Sequence, residues 1–172
     1  MGAATRPLDA AVDYSEREDG GKLMRTRREI AYALLRITMG LMFLFFGIRK
    51  FTVGIGNFAA GLQQNFAGKL PSVLVTPFAY ILPFAEVAIG LLLLLGLLNV
   101  LGLILGGILM IALTFGVVVQ GQAATVANNV FYAVVFFLLL WLAEYNRFSL
   151  DRLLGIKMLT DTAPVRDPLE GR

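Results

Sequence analysis

Three charged side chains sit inside otherwise oily sequence and are the residues best placed to do chemistry. Arg36 and Lys50 bracket "ITMGLMFLFFGIR", and Glu86 lies in "PFAEVAIGLLLLLGLL". In an apolar setting a charge costs several kcal/mol unless it is paired or solvated, so such residues mark ion pairs, ligand heads or proton relays. At 100° per residue, Arg36, Gly40, Phe43, Gly47 and Lys50 fall within about 60° of one another on a helix, and Arg49 points the opposite way. Lys50 is therefore read as pointing into a bundle, and Arg49 as a cation snorkelling to the membrane surface. Glu86 is the only acidic residue between positions 30 and 142. That makes it the natural partner of Arg36, across an antiparallel helix pair with a depth difference of about 6 Å. The Arg36–Glu86 bridge reads equally as a lock between two helices and as part of a ligand or proton site.

The elements that must hold these charges follow from composition. Of 172 residues, 58% are hydrophobic and 16% charged, with a mean hydropathy of +0.75, well above the usual soluble range. Four segments approach the roughly 20 residues needed to cross a bilayer core: about 30–47, 74–95, 100–119 and 126–142. The reading is an all-α integral membrane four-helix bundle over residues 30–155. Residues 1–29 form a disordered cytoplasmic tail with a basic flank ("KLMRTRRE"), and 156–172 a loose cytoplasmic tail. The first segment carries no cleavage signature and is read as retained. Arginines and lysines flank both ends, whereas "QGQAATVANN" has no charge, which places both termini in the cytoplasm and the chain in a bacterial inner membrane. The long first connection is then external. Its Phe58, Leu62 and Phe66, spaced four apart, predict a short amphipathic helix able to cover a lateral opening. Gly102 and Gly106, at small-xxx-small spacing, read as helix packing, as do Gly40, Gly47 and Gly90. Pro77 and Pro83 precede Glu86 and free the carbonyls of Val73 and Ala79 beside it.

Exclusions are equally informative. There is no cysteine, which removes disulfide, thiol-relay and iron–sulfur chemistry, and no histidine, which removes the usual haem and zinc ligand. No nucleophile–base pair, phosphate loop or metal spacing appears, so no residue is assigned to catalysis or to a metal. The net charge of +3 arises at segment ends without an aromatic-interleaved basic face, which argues against nucleic acid.

Three motifs in order resemble DoxX-like membrane proteins: "LLRITMGLMFLFFGIRKF" with Arg36, Gly40, Gly47 and Lys50; "PFAEVAIGLLLLLGLL" with Glu86 and Gly90; and "NRFSLDRLLG" with Ser149, Leu150 and Asp151. The resemblance covers about residues 31–155. It implies a four-helix membrane bundle and, because that family includes the small membrane subunit of a thiosulfate:quinone oxidoreductase, a non-catalytic accessory or anchoring subunit of a redox complex. A redox protein would be the partner, alongside membrane lipids. No intrinsic cofactor is expected; quinone is the candidate ligand, its carbonyls taking donors from Arg36 and Lys50 while Glu86 moves protons. The alternatives are a protein that binds or transports a lipid or small ligand, and an assembly or stress factor whose polar core only fixes the fold.

Overall fold

The computed structural model describes the backbone of residues 7–155 and the side chains of Gly21 and 23–155. Its helices are α1 (Pro7–Val53), α2 (Ile55–Phe66), α3 (Ser72–Leu95), α4 (Asn99–Gln120), α5 (Ala123–Trp141) and the one-turn α6 (Leu150–Leu153), with a 3-10 turn at Ala143–Tyr145. No strand occurs among the described residues. Four of the helices are long and apolar enough to cross a membrane: Leu23–Val53 within α1, then α3, α4 and α5. Their outward faces carry large apolar side chains such as Phe45, Ile81, Ile111 and Phe131. In water that surface would be untenable; against lipid tails it is the favoured one. The chain is a multi-pass membrane protein.

α1 begins far ahead of the start near residue 30 that hydropathy suggests, with Pro7 as its first residue. Hydropathy locates the bilayer core and not the helix end. Once the apolar part is helical the costly nucleus is already formed, and Glu16, Arg17, Glu18 and Arg25 are good helix formers that propagate it. Proline at a first helical position loses no bond, because that N–H has no partner within the helix. The tail expected at 1–29 thus overlaps this helix, while its first six residues and the tail at 156–172 lie outside the described residues.

The helices pack as two tight antiparallel pairs, α1 against α3 and α4 against α5, joined where α3 meets α4. Glycine sets the first pair. A Cβ on Gly40 would lie 2.7 Å from Leu94 N and 3.0 Å from Gly90 O, and one on Gly47 would lie 2.9 Å from Pro83 O. Only bare backbone permits that approach. Gly102 and Gly106 serve differently: they admit the side chains of Leu92 and Phe136. Phe136 also meets Phe43 edge-on at 5.3 Å, linking the pairs through the core of Met39, Leu82, Ile89, Leu93 and Leu103. Pro77 and Pro83 lie within an unbroken α3.

α1 passes into α2 at Gly54, whose φ of 92° lies in a region that residues with a Cβ rarely adopt. α2 lays Ala59 and Phe66 against its neighbours, and Gln63 Nε2 donates to Thr76 Oγ1 at 2.9 Å, tying α2 to α3.

Candidate functional site

Lys50 and Glu86 form the ion pair at the heart of the molecule. Lys50 Nζ donates to Glu86 Oε2 at 2.5 Å and to Phe46 O, one turn back, at 3.3 Å. Its ammonium also stands 5.4 Å from the centre of the Phe58 ring on α2, a cation–π distance. The carboxylate is buried and the lysine side chain is 18% exposed, so the pair is reachable only from the lysine side. Each component comes from a different element: the ammonium from α1, the carboxylate from α3, the aromatic lid from α2. The helical phase drawn from the sequence holds here, with Lys50 turned inward and Arg49 exposed.

The expected Arg36–Glu86 bridge does not exist. The glycine register sets Arg36 beside Gly96, whereas Glu86 lies ten residues further along α3, about 15 Å at 1.5 Å per residue. An arginine cannot cover that gap, and Lys50 already occupies the carboxylate.

Arg36 instead anchors a second polar cluster where the helix ends converge. Its Nη1 donates to Asn146 Oδ1 at 2.8 Å and its Nη2 to Phe148 O at 2.7 Å. Any side chain at Gly96 would run into the guanidinium. Asp151, also buried, takes the backbone N–H of Leu98 at 2.7 Å and of Asn99 at 2.9 Å. It thereby caps α4 from fifty residues away, satisfying donors that have no partner in their own helix. Leu98 holds φ at 46°, a left-handed conformation costing a non-glycine residue about 1–2 kcal/mol, and the carboxylate fixes it there. Asn99 Nδ2 donates to Tyr32 Oη at 2.8 Å, closing the cluster back onto α1.

In the sequence Asp151 and Asn146 stand out only as members of the "NRFSLDRLLG" motif, and Tyr32 and Asn99 do not stand out. Their partners are distant in sequence and no periodicity links them. Towards the C-terminal end of α4 the polar side chains bond locally: Thr114 donates to Met110 O at 2.7 Å, and Gln122 to Gln120 at 2.8 Å.

The two clusters differ in what they can do. Around Arg36 most polar groups are engaged and Asp151 holds backbone, which is the chemistry of a lock. Between Lys50 and Glu86 a donor meets an acceptor beneath the Phe58 ring of α2, and a ligand with a carbonyl or hydroxyl could exchange into that bond.

Residues 28–126, more than half of the chain, match the family described as methylamine utilisation protein MauE. The matched stretch contains Arg36, Lys50, α2 and Glu86 and stops short of Asp151. No curated protein and no solved structure matches the chain.

Proposed function

Because the chain belongs to the MauE family of membrane proteins, we propose that it is a non-catalytic, membrane-embedded accessory subunit of a redox system, with Lys50–Glu86 as its ligand or proton site. The observation that carries this reading is the family match itself, centred on the stretch that contains the pair. Using an amine entails oxidising it, so a family named for that use fits beside an oxidoreductase. The likeness of the three motifs to DoxX-like proteins points the same way. With no cysteine and no histidine in the sequence, the electrons belong to a partner that carries flavin, metal or reactive thiols.

Quinone is the ligand this site suits. Lys50 Nζ donates to a carbonyl oxygen, and Glu86, beside the same bond, gives or takes the proton that accompanies reduction. Phe58 offers the ring a face. Arg36 has no part in that site and is assigned to the lock. Both termini lie in the cytoplasm and the membrane is a bacterial inner one, with α2 on the far side.

Affinity purification from the native membrane in mild detergent, with mass spectrometry of co-purifying polypeptides and extracted quinones, tests the proposal. A stoichiometric oxidoreductase is the expected result. A chain that comes out alone, from a membrane where the amine-oxidising system is active, would overturn it.

A further inference from the structure

The ring of helices closes unevenly, since α1 and α5 meet at few points compared with the α1–α3 and α4–α5 seams. At the arginine-rich end this weak seam opens into two adjoining cavities. The outer one, about 430 Å³, is lined by Gly21, Met24, Arg25, Arg28, Glu144 and Tyr145. The deeper one, about 270 Å³, is walled by Ala31, Tyr32, Leu35, Leu139 and Leu142. Arg28 and Tyr145 line both. Arg28 Nη1 donates to Tyr145 Oη at 3.0 Å, with the guanidinium 5.8 Å from the ring centre. A charged chamber therefore continues, past a single residue pair, into an apolar slot.

We propose that this seam holds one anionic phospholipid, its phosphodiester on Arg25 and Arg28 and an acyl chain in the slot beside Leu35, Leu139 and Leu142. Charge favours an anion. Glu29 is already held by Arg25 at 3.5 Å and Arg147 at 3.0 Å, and Asp151 faces the amides of α4. Arg27 and Arg152 add positive potential at the same end, where such residues attract acidic headgroups. Glu144, on the chamber wall, suits a headgroup that carries donors, such as the glycerol hydroxyls of phosphatidylglycerol. The depth is also right: exposed Trp141, Phe148 and Leu153 stand at this end, as residues of a membrane interface do. The bound lipid would complete the wall that α1 and α5 leave open. This inference is independent of the redox reading.

The test uses the full chain, delipidated in detergent, with phosphatidylglycerol, phosphatidylcholine or inorganic phosphate added. Native mass spectrometry and thermal unfolding are the readouts. The expected result is a saturable one-lipid adduct and a Tm rise of several degrees with phosphatidylglycerol, a smaller effect with phosphatidylcholine, and none with phosphate. Arg28→Gln, a surface change that leaves the core intact, should lose the preference; Leu142→Trp, which fills the slot, should lose the adduct. Equal effects of the two lipids, the full shift from phosphate alone, or an unchanged preference in Arg28→Gln would each overturn the proposal. The Arg28→Gln result decides the matter alone if Leu142→Trp does not fold.

Discussion

Glu86 is stable in a bilayer because Lys50 lies against it, and the two can be separated experimentally. Lys50→Met should destabilise the protein by about 3–5 kcal/mol, since it strands a buried carboxylate, whereas Lys50→Met with Glu86→Leu should recover most of that loss. Thermal unfolding in detergent measures both; a double variant no better than the single would contradict the pairing. At the other cluster, Asp151→Asn keeps the shape but places an amide against two backbone N–H groups, and should cost about 1–3 kcal/mol. Equal denaturation midpoints for Asp151→Asn and wild type would remove the cap from the account. Helical phase was legible at this scale: Arg36 and Lys50 share a face, as 100° per residue requires. Depth was not. The Arg36–Glu86 pairing failed because the register between α1 and α3 depends on where Gly40, Gly47 and Gly90 interlock, and no single helix reveals that.

Among elements, the α1–α3 contact is the one that glycine makes possible. Gly90→Ala would press a methyl group into the backbone of Leu44 and should destabilise by about 1–3 kcal/mol through overpacking. Gly107→Ala, with nothing within 4 Å of the added carbon, should be neutral or stabilising, because alanine is the better helix former by about 1 kcal/mol. Parallel melting curves of the two variants check this, and similar losses in both would contradict the interface. The four apolar spans were readable because membrane thickness dictates their length. Gly102 and Gly106 were recognisable as packing glycines, yet the spacing does not say whether a backbone or a side chain enters the gap. Here Phe136 and Leu92 do. The start of α1 escaped notice because charged, helix-forming residues carry no hydropathy signal.

For the whole molecule, the basic end carries the lock of Arg36, Asp151 and Asn99, while the Lys50–Glu86 pair lies further along the bundle under α2. The lock and the proposed ligand site thus occupy separate levels. That separation predicts that the pair can be removed without losing the fold, because the Gly40–Gly90 contact and the Asp151 cap are made by other residues. The measurement that tests this most directly compares the wild type with the Lys50→Met, Glu86→Leu double variant, each purified from the native membrane, quantifying the co-purifying oxidoreductase, bound quinone and amine-dependent electron transfer. The account predicts a folded, membrane-inserted double variant that retains its partner, loses quinone and has lost electron transfer. A double variant with the same quinone content and the same electron transfer as the wild type would contradict it, and would leave Lys50 and Glu86 as one more contact between α1 and α3.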